Sequence, residues 1–304
     1  MMLLDHIAIS AIATKILYQK ANTKLILLAC FAGFIPDILA IFYHPGSIEY
    51  LAHRRYTNSL LISPFYTLLI SLLFKSFNKE YNFLLIYTIT TLNYILHIWL
   101  DHINEYGAPL FYPLSDKIYA LDIIHSFDPI FLTISSAFFI YVAYIYFKKQ
   151  ALAIRILKIF MATYITYFSL MFIYKTYFTQ TSIATLNKEN ISYSALTTTP
   201  KTFWRWKSIA TQNNGSFAVI ESDKAGVILH KSLDLNALPS AITQDSYLVE
   251  FLKYARFPAY KIINDQIYIY NVIYSDNTYA LIYTMKNNAV ISKEITTFDF
   301  EYPL

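Results

Sequence analysis

His97 and Asp101 stand four residues apart near the end of the apolar run Asn82–Leu100. That spacing places an imidazole and a carboxylate on one helix face. There they can bind one divalent ion through nitrogen and oxygen, or form a plain His–Asp hydrogen bond at a helix end. Asp37 follows Pro36 deep in the apolar stretch Leu25–Tyr43. It can serve a site, or cap a helix start behind the break a proline makes. His53-Arg54-Arg55-Tyr56-Thr57-Asn58-Ser59 joins two apolar segments. An arginine beside a metal suits a phosphate or another anion, which its planar fork binds bidentately, although such a loop also suits lipid headgroups. Asp5-His6 opens the first apolar segment, where an acid also complements the helix dipole. His44, His102 and His125 are weaker candidates, and His230 is expected to be an ordinary surface histidine.

These residues must be positioned by membrane helices. The 304-residue chain is 56% hydrophobic and only 14% charged, against about 25% charged in a typical soluble domain. Its mean hydropathy is positive. Apolar segments recur at Ile7–Leu17, Leu25–Tyr43, Leu60–Phe74, Asn82–Leu100, Pro129–Phe147 and Ile156–Phe178. A span needs roughly 20 apolar residues, so six membrane helices are expected, the first and third being short. Five glycines leave little room for a phosphate-cradling loop, and no such fingerprint is present. The net charge of +4 comes from scattered bases, with no stripe suited to nucleic acid. The single cysteine, Cys30, excludes an intrachain disulfide and a cysteine zinc site. Asp5 and His6 occupy the place of a basic signal-peptide region, so the first segment is expected to be retained.

With an outside N-terminus, one face collects Lys15, Lys20, Lys24, Lys75, Lys79, Lys148, Lys149, Arg155 and Lys158. The other holds Arg54, Arg55, Lys117 and Lys175. The positive-inside rule makes the first face cytoplasmic. The opposite face then also carries Asp5, His6, Asp37, His53, His97, Asp101 and Asp128. Ionisable residues at such positions are costly unless paired or coordinated, and so point to function.

Residues 1–178 are thus expected to form the membrane domain, 179–200 a polar linker and 201–304 a small extracytoplasmic α+β domain. Alternating runs at Phe217–Glu221, Val227–His230, Gln266–Tyr274 and Tyr279–Met285 predict strands, with turns at Ser275-Asp276-Asn277 and Asn287-Asn288. Tyr247–Tyr254 has helical spacing and stops before Pro258.

Taken in order, the motifs resemble a known family. They are Asp5-His6, Gly33-Phe34-Ile35-Pro36-Asp37, His53-Arg54 through Thr57-Asn58-Ser59, and His97-x-x-x-Asp101 with Asn104-x-Tyr106-Gly107. Pro113-Leu114-Ser115 and Phe127-Asp128-Pro129 complete the set. The chain resembles the membrane-bound metal-dependent hydrolases of the YfhP/YdjM type, in the variety with an appended C-terminal domain. Phe203-Trp204-Arg205-Trp206 and Phe251-x-x-x-Ala255-Arg256-Phe257-Pro258 look like that tail. The resemblance implies a divalent metal held by His6, Asp37, His53, His97 and Asp101. Three positions depart from the family pattern: Leu39 stands at a second acid, Arg55 at a glycine and Asn58 at a second histidine. Five candidate ligands suffice for one ion, and the departures disfavour a pair of ions.

The leading expectation is a hydrolase with one zinc or manganese ion at the outer membrane face, acting on an ester or phosphoester of a lipid or envelope-linked substrate. Asp37 or Asp101, whichever is not a ligand, would accept the proton of the attacking water, and Arg54, with Arg55, would hold an anionic group. Membrane lipids are the expected partners. The alternative is a catalytically degenerate protein with a structural or partner-binding role. A transporter ranks last, because no internal repeat is visible and the acids gather at one face.

Overall fold

The computed structural model describes residues 3–42, 54–202, 204–224, 226–273, 278–286 and 289–298. The chain divides into two compact units, with the boundary inside one long helix, between Ile173 and Tyr174.

The first unit is helical. Its elements are α1 (Leu3–Leu17), α2 (Thr23–Phe34), a 3-10 segment (Ile35–Phe42), α3 (Ser63–Phe77), α4 (Phe83–His102), α5 (Pro129–Phe147) and the first part of α6 (Ile154–Lys188). Polar residues set several starts. Asn22, Asn82 and Asp128 accept hydrogen bonds from the first amides of α2, α4 and α5, which would otherwise lack partners. Asp128 is therefore a cap, held also by the Tyr167 hydroxyl at 2.6 Å. Helix α1 packs against α2, α4 and α5. The core around it includes Ile9, Ile12, Leu100, Ile103, Phe131 and Tyr164.

Among the described residues, α4, α5 and α6 are long and apolar enough to cross a membrane. At most 44% of the most apolar stretch of each is buried within the chain, so much of that apolar surface faces outward, as lipid contact requires. Six spans were expected, and three of the described helices have the length and composition for one. Helices α1, α2 and α3 have 15, 12 and 15 residues, short of a full span. The stretch Leu25–Tyr43, expected to be continuous, is instead broken after Phe34, where Pro36 removes an amide donor and the chain tightens into the 3-10 segment.

The second unit begins with the C-terminal part of α6 and contains two antiparallel meanders. The first sheet is β1 (Ala195–Pro200), β2 (Trp206–Thr211), β3 (Phe217–Glu221) and β4 (Ile228–His230). The second is β5 (Pro258–Ile263), β6 (Gln266–Asn271), β7 (Thr278–Lys286) and β8 (Ala289–Phe298). Ile209, Phe217 and Val219 of the first sheet meet Ala259, Tyr268, Tyr270 and Ile282 of the second in one core. Two short helices, α7 (Ser240–Thr243) and α8 (Ser246–Tyr254), cover the other face of the second sheet through Ile242, Leu248 and Phe251. On the outer face of the first sheet, Tyr174 stacks edge-on against Trp206 and the Thr179 hydroxyl bonds that of Thr198.

The α+β expectation is thus realised as two facing sheets with flanking helices. Residues 179–188, expected as linker, continue α6, and Ala195–Pro200 forms β1. His230, expected at the surface, is buried, with Nδ1 3.0 Å from the Tyr270 hydroxyl. The expected turns at 275–277 and 287–288 lie outside the described residues, apart from the strands they join.

Candidate metal centre

Four of the five expected ligands converge. His97 and Asp101, one turn apart on α4, meet His6 of α1 and Asp37 of the 3-10 segment. The His6 Nε2 lies 3.8 Å from Asp37 Oδ2 and 3.6 Å from Asp101 Oδ1. The His97 Nε2 lies 3.7 Å from Asp37 Oδ1 and 3.5 Å from Asp101 Oδ2. The two imidazoles stack with centroids 4.0 Å apart. His6, His97 and Asp101 are fully buried, and their donor atoms lie within 4.8 Å of one another. His53 lies outside the described residues.

Packing explains the convergence. Gly33 in α2 lies so close to α1 that a side-chain carbon there would meet Ser10 Oγ at 2.1 Å and the His6 carbonyl at 3.3 Å. Glycine alone permits this approach, and it delivers the Gly33 carbonyl to His97 Nδ1 at 2.8 Å. A carbonyl only accepts, so Nδ1 carries a proton, and Nε2, facing the carboxylates, is the nitrogen that offers a lone pair when the ring is neutral. Asn93, one turn before His97, donates to Thr14 of α1 at 2.8 Å and ties the same two helices together.

The loops complete the site. Residues 54–57 form a helical turn, pinned to α4 by the Tyr94 hydroxyl, which donates to the Thr57 carbonyl at 2.9 Å. From it Arg54 reaches Asp101 Oδ2 at 3.4 Å, donates to the Gly107 carbonyl and lies over the Tyr106 ring. Asn58, buried beside it, donates to Asp101 Oδ2 at 2.6 Å. Asn104 Oδ1 accepts from the Tyr106 and Gly107 amides, and its Nδ2 points at Asp101 Oδ1, 3.4 Å away. Gly107 has φ +66°, a left-handed conformation that favours glycine.

Other expected residues serve elsewhere. Asp5 is buried on the α1 side facing α5, where the Ser135 hydroxyl donates to it. Arg55 pairs with Asp116 at 3.2 Å and lies over Tyr112. His102 bonds the Tyr119 carbonyl, and His125 faces Glu105 at 3.6 Å. The Gly33 carbonyl was not legible as a site component, because no side-chain type announces a backbone acceptor.

The donor set fits a cation. Both ring nitrogens of His6 and Nε2 of His97 are buried without hydrogen-bond partners, which is costly for polar atoms in an apolar bundle. With His97 neutral, its Nε2 lone pair faces two carboxylate oxygens, a repulsive arrangement that a positive ion between them reverses. One proton cannot serve three nitrogens, and two imidazolium rings stacked at 4.0 Å would repel each other. Donors each about 2.1 Å from one ion lie about 3.0–3.5 Å apart, close to the observed 3.5–3.8 Å. Two imidazoles and two carboxylates suit a divalent metal ion.

An apolar helical unit with such a cluster defines a membrane protein with a candidate metal centre. The chain belongs to the YdjM inner membrane protein family, whose model matches residues 1–177. It is also similar to the uncharacterized protein YfhP of Bacillus subtilis (strain 168), at 30% identity over 113 residues covering 36% of this chain and 35% of that protein. The chain therefore spans about a third of the curated relative it matches. No solved structure matches.

Proposed function

We propose that this protein is a membrane-bound metal-dependent hydrolase acting on an ester or phosphoester of a lipid or envelope-linked substrate. The observation that carries this reading is the three buried imidazole nitrogens that lack hydrogen-bond partners beside two carboxylates. His6, His97 and Asp101 would hold one divalent ion, zinc or manganese, with Asp37 beside them. When bound, such an ion lowers the pKa of water and polarises an ester or phosphoryl oxygen.

The chain's own groups divide the remaining work. Asp101 is fully buried and receives Asn58 and Arg54, which suits a fixed ligand. The Asp37 side chain keeps 15% of its surface accessible, so its carboxylate is the group placed to take a proton from the attacking water. Arg54, with 17% exposed, is the cation beside the centre that would hold an anionic oxygen of the substrate. The apolar helices around the site favour substrates that partition into the bilayer.

The distribution of Lys and Arg supports an outer-face site and an extracytoplasmic C-terminal unit. That reading has α1, α2 with the 3-10 segment, and α3 complete a six-helix bundle with the three long helices. One observation favours the second reading, a degenerate protein with a structural polar network: Asn58, at a position where the family pattern has histidine, donates to Asp101.

Metal analysis of detergent-purified protein, joined to a screen of phosphoesters and lipid esters, separates the two. The hydrolase reading expects about one zinc or manganese per chain, lost in His97→Ala and Asp101→Ala, with turnover that depends on it. Absence of bound metal in the unaltered protein, even after incubation with either ion, would refute it.

A further inference from the structure

Two short loops form the end of the first unit that lies away from the metal centre. Residues 18–22 join α1 to α2, and residues 78–82 join α3 to α4. Asn22 donates to the Tyr81 hydroxyl and Lys24 to Glu80 at 3.0 Å, so the start of α2 lies beside the end of α3. Lys15 donates to the Gln19 and Ala21 carbonyls, and Lys75 to those of Lys79 and Tyr81. Each of these two lysines sits in the last turn of its helix, where a cation complements the dipole. Residues 15–24 and 75–82 together hold five lysines and one acid, Glu80. The metal centre uses the opposite helix ends, and α2 alone, with 12 residues, spaces the two by about 18 Å.

A groove of about 320 Å³ runs between α2 and α3 from this charged end. Leu27 and Phe31 belong to one wall and Leu73 and Phe77 to the other, with Asn78 as the polar member of the lining. Lys24, Leu27, Leu28 and Phe31 are spaced so that all four share one face of α2, with Lys24 at the loop end. Asn78 is the C-cap of α3, so its amide marks the same end of the opposite wall. The groove therefore pairs a cationic, hydrogen-bonding end with hydrocarbon walls. Leu73 and Phe77 keep 60% and 80% of their surface exposed, which leaves it open along one side.

We propose that this groove binds an anionic phospholipid, with one acyl chain between the walls and the phosphate against the lysines of the loop end. The walls bury hydrocarbon, and the lysines select its head group. A soluble anion gains nothing from the walls, and a zwitterionic lipid gains less from the lysines. A second copy inserted in the same direction would set its own lysines against these, and like charges repel. Near an anionic lipid surface each lysine contributes roughly fivefold to binding. The lipid is held away from the metal centre, so it is a resident lipid and not the substrate of the proposed hydrolysis. The site stands whether or not that centre holds an ion.

The test uses the full-length protein in detergent, with phosphatidylglycerol and phosphatidylcholine carrying the same acyl chains. Native mass spectrometry across a titration gives the number of lipids bound and the apparent affinity of each. The unaltered protein should hold one phosphatidylglycerol roughly tenfold or more tightly than phosphatidylcholine, with the preference shrinking in higher salt. Lys24→Gln and Lys79→Gln change exposed side chains. Each should cost phosphatidylglycerol roughly fivefold and leave phosphatidylcholine unchanged. Leu73→Trp fills the groove from an exposed position and should remove the tight complex.

Equal affinity for the two lipids in the unaltered protein would overturn the proposal, and that comparison needs no variant to fold. A phosphatidylglycerol complex unaffected by Leu73→Trp also overturns it, because the lipid then sits on the lysines with no chain in the groove. A dimer that forms without bound lipid and is broken by Leu73→Trp would assign the groove to a second copy instead.

Discussion

Replacing Gly33 by alanine tests how the centre is assembled. A methyl carbon built there lies 2.1 Å from Ser10 Oγ, 3.1 Å from Ser10 Cβ and 3.3 Å from the His6 carbonyl oxygen. Rotating Ser10 relieves only the first contact. The other two belong to the α1 backbone and its first side-chain atom, so α1 and α2 must part by a few tenths of an ångström. Overpacking of this kind costs about 1–3 kcal/mol, while alanine regains about 1 kcal/mol of helix propensity over glycine. The net destabilisation is therefore small, about 0–2 kcal/mol. The effect on the centre should be larger than that suggests. The shift carries the Gly33 carbonyl away from His97 Nδ1, which it now holds at 2.8 Å. Loss of such a hold on a metal-ligating histidine typically weakens binding roughly 10–100-fold. Thermal unfolding in detergent, with and without zinc, and zinc affinity by chelator competition measure the two effects. Ser10→Ala removes the closest obstacle, so in that background Gly33→Ala should recover part of its loss, with a coupling of about 0.5–3 kcal/mol. Equal effects of Gly33→Ala in both backgrounds, or unaltered zinc affinity, would show that the close approach does not shape the site.

Arg54→Lys keeps the charge and loses the fork; it should raise KM for phosphoester substrates roughly tenfold, about 1.4 kcal/mol, and leave KM for neutral esters of the same leaving group unchanged. Equal changes for both classes would remove Arg54 from anion recognition. In the second unit, burial, followed by the nearby Lys207 charge, lowers the pKa of His230 from 6.5 to about 4. The folded unit holds this ring neutral while the unfolded chain protonates it, so stability is complete above pH 6.5 and declines as pH falls toward 4. The loss amounts to roughly 3 kcal/mol across that window. Protection factors of the β3 and β4 amides in the full-length protein, corrected for the intrinsic exchange rate, should fall over this range, and His230→Asn should flatten the dependence. A slope that persists in the variant would assign it to other groups.

The parts of this molecule that sequence makes legible are those where one residue type has one economical place. Long apolar runs without charges, such as Pro129–Phe147, correspond to helices with the expected bounds. Strands β3 and β4 and the helix before Pro258 follow from alternation and turn signals. Strand β2 did not stand out because its buried positions include Lys207 and Ser208, polar residues that break the apolar run a strand is read from. Lys207 on that strand is fully buried, with Nζ donating to the Val272 carbonyl at 2.9 Å, and a lone lysine in sequence looks like surface. At the centre, His97 and Asp101 were recognisable from type and spacing, and His6 and Asp37 joined them as ligands through the family resemblance. The role of Asn58 was not recognisable, because an asparagine ligates or donates according to what stands opposite it.

That dependence on surroundings bears on the choice between a metal centre and a structural network. A network that only stabilises the bundle would be expected to satisfy its buried atoms internally, as two buried acids of this unit do. Asp128 takes two amides and the Tyr167 hydroxyl, and Glu105 takes the amide and hydroxyl of Ser126. The same chain leaves both nitrogens of His6 and one of His97 without a hydrogen bond, at the place where two carboxylates approach them. A divalent ion among these four side chains would satisfy those lone pairs, and a purely structural role would have to account for nitrogens left without a hydrogen bond at this point.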